Sequence, residues 1–432
     1  MYFSKHNIVS EIKDSDDYFI VNPLSGNADI LSKEEADNIN NRVFNNTDEF
    51  VKKGYLVDEE SEKLLFNQKY LDFIDERDED EVQIFFVPSY GCNFACSYCY
   101  QEEYNNNARL PENKIIDSFF NYIDSEFSDR RKYITLFGGE PLMNSEPYKE
   151  KIKYFIDRLN ERNLQLAIVT NGYHLPEYME ILKKAKIREI QVTLDGTKLV
   201  HDKRRMLKGG NGTFDNVVKG IDQSLENGFP VNLRAVVDRE NASNLSELAD
   251  FAIEKGWTKN NLFKTQLGRN YELHTCQGNQ KKLFDRIEMW QEIYEIIKKK
   301  PEFLEFHKPA FSISKFLFEN GELPFPLFDS CSGCKTEWAF DYTGNFYACT
   351  ATVGKEGESL GTFYPTVTKK EDDIEEWQER DILAIEKCKD CDVQLACGGG
   401  CASIAKNNLG TLHSHDCRPI KELLELGVAT YN

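Results

Sequence analysis

Three closely spaced cysteines carry the first chemical signal in the chain. In Cys92-Asn93-Phe94-Ala95-Cys96-Ser97-Tyr98-Cys99 the thiols are separated by three and then two residues, directly after Gly91. Zinc usually draws four ligands from paired spacings, and this loop supplies three. Three thiolates can instead ligate three irons of a 4Fe-4S cubane and leave the fourth iron open to a substrate. A zinc site or three incidental thiols is the alternative. A second field holds Cys331, Cys334, Cys349, Cys388, Cys391, Cys397, Cys401 and Cys417. Of 12 cysteines only Cys276, near His274, stands apart, and it reads as a buried or incidental thiol.

These residues need elements to position them. From about residue 81 to 275, short apolar runs (VQIFFVP, YITLFGG, LQLAIVTNG, EIQVTLDG, VNLRAVV and LFKTQLG) alternate with amphipathic stretches. That rhythm predicts βα units on a parallel sheet, with ligand contacts at the carboxyl ends of the strands. Those ends carry the cysteine triplet, Gly138-Gly139-Glu140-Pro141, Thr170-Asn171-Gly172 and Thr193-Leu194-Asp195-Gly196. Arg234, inside VNLRAVV, needs a partner because it sits in an apolar strand: a bound carboxylate or a structural acid. Arg205, in a charged loop, is of a kind more often simply solvated.

Residues 1 to 80 read as a small α+β unit in which NIVSEI and DYFIVN are strands and PLSGNA is a turn. Ser32 with Glu35 marks a helix start. The acidic run DERDEDE reads as a solvated linker. Residues 276 to 328 form a helical connection, clearest in QKKLFDRIEMWQEIYEIIKKK. From 329 to 432 little apolar periodicity is visible, so bound clusters are expected to replace part of the core.

Lys and Arg number 53 against 73 Asp and Glu, and the net charge of −20 opposes a broad hold on nucleic acid. The N-terminal stretch has no secretory apolar region and no apolar run is long enough to span a bilayer. The expectation is a cytoplasmic protein, with neither nucleic acid nor membrane as partner, in a compartment that keeps thiols reduced.

The triplet, GGEP, TNG and LDG together resemble the radical S-adenosylmethionine (SAM) superfamily. The resemblance implies an α/β fold, a partial (β/α)6 TIM-like barrel with a C-terminal iron-sulfur domain. Cys92, Cys96 and Cys99 would hold the catalytic cluster. Gly138, Gly139, Glu140 and Pro141 would meet the methionine amino group, with Thr170, Asn171, Thr193, Asp195, Arg205 and Arg234 near the ribose and carboxylate. The motifs His201-Asp202-Lys203-Arg204-Arg205 and Gly212-Thr213-Phe214 resemble one branch. SAM would be cleaved reductively to a 5′-deoxyadenosyl radical that takes hydrogen from substrate.

The C-terminal cysteines resemble the SPASM domain. By that resemblance Cys331, Cys334, Cys349 and Cys401 would hold one auxiliary 4Fe-4S cluster and Cys388, Cys391, Cys397 and Cys417 another, giving three clusters in all. Cys331 lies closer to Cys334 than the resemblance leads one to expect, so an open iron in the first is an alternative. Zinc sites are the other. SPASM relatives mostly modify peptides, which implies a maturase that crosslinks a ribosomally made precursor, foremost by a thioether. A leader-binding unit at residues 1 to 80 and a ferredoxin- or flavodoxin-type electron donor go with it. Residues 1 to 80 could equally be a packing cap on the barrel. Enzymes of the anaerobic sulfatase-maturing type are the alternative, but they generally carry Asp where Thr350 follows Cys349. A non-catalytic iron-sulfur or zinc scaffold is the reading from another class.

Overall fold

The structure, a computed structural model, describes residues 1–44, 47–99, 110–270 and 281–432. Cys276 and His274 lie outside them. The N-terminal unit contains an antiparallel sheet of β1 (Ile8–Glu11), β2 (Tyr18–Asn22) and β3 (Asn27–Leu31), in that order. The expected turn PLSGNA is shorter than its sequence suggests, because Asn27 and Ala28 already pair with β2. Ser32 and Glu35 close a reciprocal capping box at the start of the next helix.

All the strands expected in the central region form: β4 (Val82–Val87), β5 (Lys132–Leu136), β6 (Leu166–Thr170), β7 (Ile187–Thr193), β8 (Val231–Val237) and β9 (Phe263–Arg269). Each is parallel to the next, in chain order. The alternation of side chains across a strand sorts their residues. In β7, Ile190 and Val192 join the core, while Gln191 and Thr193 line an interior cavity. In β8, Val231, Leu233, Ala235 and Val237 are core residues, while Arg234 and Val236 face the same cavity. On the core side, Phe86 stacks near Phe119 and Phe155 of the two flanking helices, at 4.7 and 5.2 Å between ring centroids.

The sheet does not stop at the barrel. β10 (Glu337–Asp341) pairs in parallel with β4, and β11 (Asn345–Tyr347), β12 (Gly361–Thr362) and β13 (Thr368–Lys369) continue antiparallel to give a sheet of 10 strands. The cysteine-rich region, whose sequence shows little apolar periodicity, thus contributes apolar packing to the sheet. Trp338, Phe340, Phe346 and Phe363 are buried in the barrel's core cluster. The strands that carry the first three, and the one that Phe363 follows, are too short for a period to show in the sequence.

The acidic run is also corrected. A helix over Glu59–Glu79 runs through most of it and ends at Asp80. Its inner face is marked by Phe66, Tyr70 and Phe73, at helical spacing, whose rings surround the buried Phe328 at 5.1 to 5.6 Å. The N-terminal sheet packs Ile8, Phe19 and Val21 on Ile420, Leu424 and Val428 of the C-terminal helix. It therefore rests on the cysteine-rich region, not on the barrel core. Among the described residues no helix is long and apolar enough to cross a membrane.

Candidate active site at the barrel mouth

The triplet follows β4. Phe94–Cys96 pairs antiparallel with Arg205–Leu207, in a register that sets Cys96 opposite Arg205. This ribbon pins the loop, and Cys99 N–H donates to Cys96 O at 3.2 Å to turn it. Burial, with Glu140 adding to it, pushes the Cys92 thiol up to about 12. A metal would reverse that preference by stabilising the thiolate.

The cavity beside the triplet is about 270 Å³. Its lining includes all three cysteines, Gly138, Gly139, Thr170, Asn171, Thr193, Arg205 and Arg234. Gly138 has φ of +128°, and a Cβ on Gly139 would sit on the carbonyl oxygens of Gly91 and Tyr90. Only bare backbone can thus pack here against the chain that leads into the triplet. Behind the glycines Glu140 is buried and accepts from Thr170 Oγ1 at 2.6 Å, Asn171 N at 2.6 Å and Leu142 N at 2.8 Å. Burial raises its pKa, and those donors oppose the rise. Asn171 Nδ2 donates to Asn93 Oδ1 at 2.7 Å, next to Cys92.

Arg205 is not solvated, as its loop context suggested, but buried, with Nη1 donating to Tyr98 Oη at 2.7 Å. Tyr98 donates in turn to Asp195 Oδ2 at 2.5 Å. Asp195 is wholly buried; it also accepts from Val236 N at 2.9 Å and pairs with Arg204 at 3.3 Å. Asp195, Glu140 and Pro141 stand behind the cavity wall and do not line it, whereas the three cysteines, Gly138, Gly139, Thr170, Asn171, Thr193, Arg205 and Arg234 do. The His201 ring is held neutral by burial, with a pKa near 3, between Asp195 N and Thr213 Oγ1. Asp202 Oδ1 accepts from Thr213 N and Phe214 N at 2.7 and 2.8 Å. The His-Asp and Gly-Thr-Phe segments are therefore two halves of one clasp.

Several lining residues escaped the sequence reading: Tyr98, Gln191, Arg269 and Asn270; Thr350, weighed there only as the position of a base, lines the cavity as well. Alternation along β7 and β9 is the signal that finds Gln191 and Arg269. Thr350 could not be found that way, because it reaches the cavity from the C-terminal region.

Three buried donors around the triplet, Arg205 Nε, Arg234 Nε and Asn93 Nδ2, have no hydrogen-bond partner among the described residues. Unpaired buried donors are costly, so this wall fits an oxygen-rich ligand such as the carboxylate and ribose of SAM. The thiol loop fits a cluster with one open iron.

The described C-terminal cysteines form no disulfide. Burial raises the Cys349 thiol, and Glu337 and then Cys331 and Cys401 add to it; burial and then Cys331 do the same for Cys334. Burial, with Cys397, Cys391 and Cys417, pushes Cys388 up to about 11. No group of three or more Cys, His, Asp or Glu among the described residues is positioned to hold a single metal ion.

Residues 86–252 match the family model described as the Radical SAM superfamily. The GTP 3',8-cyclase of Campylobacter fetus subsp. fetus is 33% identical over 171 residues, 38% of this chain and 50% of the cyclase. That of Helicobacter pylori (strain HPAG1) is 28% identical over 239 residues, 53% of this chain and 67% of the cyclase. The chain thus spans half the length of the first of these relatives. Among solved structures, anSMEcpe with bound AdoMet and Cp18Cys peptide aligns with a TM-score of 0.63 at 18% identity, covering 81% of this chain and 97% of that one. Streptococcus suis SuiB bound to the precursor peptide SuiA aligns at 0.52 and 15% identity, covering 96% and 98%. At such identities the likeness is one of fold. Residues 86–252 are a radical SAM domain. The chain's fold beyond that domain is shared along nearly the whole chain with SuiB.

Proposed function

We propose that this enzyme matures a ribosomally made peptide by radical SAM chemistry and installs a crosslink, foremost a thioether. The observation that carries the proposal is the placing of the cysteine triplet, the Gly138-Gly139 cradle and the unpaired Arg205 and Arg234 donors around one cavity. The division of labour follows the chain: residues 1–80 grip the leader, 81–275 form the barrel, 276–328 connect, and 329–432 form a SPASM domain.

Cys92, Cys96 and Cys99 would hold the 4Fe-4S cluster that acts with SAM. Together, when bound, they supply a one-electron route to hydrogen abstraction from an unactivated C–H bond. The chain's own residues bind and orient. Glu140, through its buried carboxylate and the bare glycine backbone in front of it, favours a cationic amino group. Arg205 and Arg234 offer donors to a carboxylate or ribose, and Tyr98 and Asp195 hold Arg205 in place. Thr170, Asn171 and Thr193 fill the remaining wall at the strand ends. The cavity walls keep water from the reacting centre.

The two sets of four thiols would hold auxiliary 4Fe-4S clusters, one of which accepts an electron or holds a substrate thiolate. Thr350, beside Cys349, reaches the cavity and donates its N–H and hydroxyl to Glu337 at 2.9 and 3.1 Å. It cannot serve as the carboxylate base of a sulfatase-maturing type enzyme, so that alternative is disfavoured. In the N-terminal sheet the C-terminal helix covers β1, while β3 has no strand on its outer edge among the described residues. A leader added there would gain backbone hydrogen bonds. A ferredoxin or flavodoxin would supply electrons.

The test is anaerobic incubation with SAM, a reductant and candidate Cys-containing precursor peptides. A precursor mass lowered by a pair of hydrogens per crosslink supports the proposal. SAM consumption with the precursor unchanged, or with GTP consumed instead, contradicts it.

A further inference from the structure

A second cavity, of about 420 Å³, adjoins the one at the barrel mouth. Arg269, the last residue of β9, lines both. The second lies between the helix Arg286–Lys299, the chain at 310–313 and the start of the helix Ile420–Tyr431. Met289, Ile313, Leu327 and Leu423 give it aliphatic walls, and Trp290 meets the Phe311 ring edge-on at 5.7 Å between centroids.

The polar groups on this lining are donors, and several are uncommitted. Among the described residues the half-buried Arg418 guanidinium has no hydrogen-bond or ion-pair partner, and the Trp290 indole N–H has no acceptor. Ser312 Oγ is buried and unpaired. Phe311 and Ser312 hold φ of +41° and +60°, a costly conformation for two successive non-glycine residues, and both line the cavity. Arg286, by contrast, is balanced: it donates to both oxygens of Asp416 at 2.5 and 2.6 Å. Arg269 donates to Phe284 O at 2.7 Å. No acidic side chain lines the cavity among the described residues. Glu422 and Glu425, on the C-terminal helix, stand outside the lining, and neither forms an ion pair with Arg418.

An uncommitted cation with hydroxyl and indole donors, set in an apolar wall, fits a carboxylate carried between apolar side chains. The phosphates of a nucleotide fit less well, because they need more than one uncommitted cation. We propose that this cavity holds a segment of the substrate peptide next to the residue in the barrel mouth, and that it selects an acidic side chain flanked by apolar ones, with Arg418 as the specificity-determining residue. The inference rests on the peptide reading above and adds which sequences that enzyme accepts. A site built to pair a carboxylate rejects the isosteric amide, which leaves the guanidinium without its counter-charge.

The test is anaerobic isothermal titration of the full chain with two acetylated, amidated peptides, one centred on Leu-Glu-Leu and a twin centred on Leu-Gln-Leu. The wild type should bind the Glu peptide about tenfold more tightly than its twin, the margin of one charge-assisted pair. Arg418→Gln should abolish that preference, and Arg418→Lys should keep most of it. Trp290→Ala should weaken both peptides by a similar factor and leave the preference in place. Equal binding of the twins by the wild type, or a preference that survives Arg418→Gln, would overturn the cavity's role and leave peptide maturation standing, since a changed precursor mass is read separately. Binding of neither peptide, with GTP held in an Arg418-dependent way, would overturn both.

Discussion

At the scale of single residues, Glu140 makes the sharpest demand. Its carboxylate is buried, three donors point into it, and no side-chain cation within the described ion pairs neutralises it. Because burial raises its pKa, it takes up a proton at higher pH than an ordinary carboxylate. Protonation removes the charge that would hold an amino group, so SAM affinity should fall as pH drops through that raised value. In Glu140→Gln the affinity should be about tenfold lower and nearly flat with pH, as expected when a buried charge behind the cavity wall is removed; isothermal titration under anaerobic conditions checks both. Arg234→Met should also weaken SAM binding by about tenfold, since a charged donor then leaves the cavity wall. The triplet, the glycine pair and Arg234 were legible in the sequence because their types are out of place in ordinary strands and loops. The burial of Arg205 was not, since only pairing with Phe94–Cys96 draws that charged segment inward.

At the scale of elements, the same motif letters serve architecture as well as chemistry. Asp202 receives the first N–H groups of the helix Phe214–Glu226, a helix that offers no side-chain cap of its own. Asp202→Ala should lower stability by about 2 kcal/mol in chemical denaturation while leaving SAM affinity unchanged, in line with the loss of a charged cap. The six barrel strands could be read directly, because each is a short apolar run ending in a motif. The helix over Glu59–Glu79 was hidden by its acidic end, although Phe66, Tyr70 and Phe73 already spelled out one face. β10 was hidden for another reason: its five residues find their partner, β4, about 250 positions away in the chain, and no local pattern reports such pairing.

At the scale of the whole molecule, the N-terminal unit, the cysteine-rich region and the barrel are joined in series: β1 and β2 rest on the C-terminal helix, and β10 extends the barrel sheet. That order leaves β3 as an outer edge, where the proposed leader would add. Adding the precursor should slow amide hydrogen exchange across Asn27–Leu31, whereas unchanged exchange there would separate the unit from peptide recognition. The account as a whole depends on the cluster at the barrel mouth. Its most direct measurement is 5′-deoxyadenosine formed from SAM under anaerobic reduction, by the wild type and by Cys96→Ala. The wild type should form it and Cys96→Ala should form none, with about four irons fewer per chain and the fold intact by circular dichroism. Equal formation by both, or none by a fully iron-loaded wild type, would contradict the account.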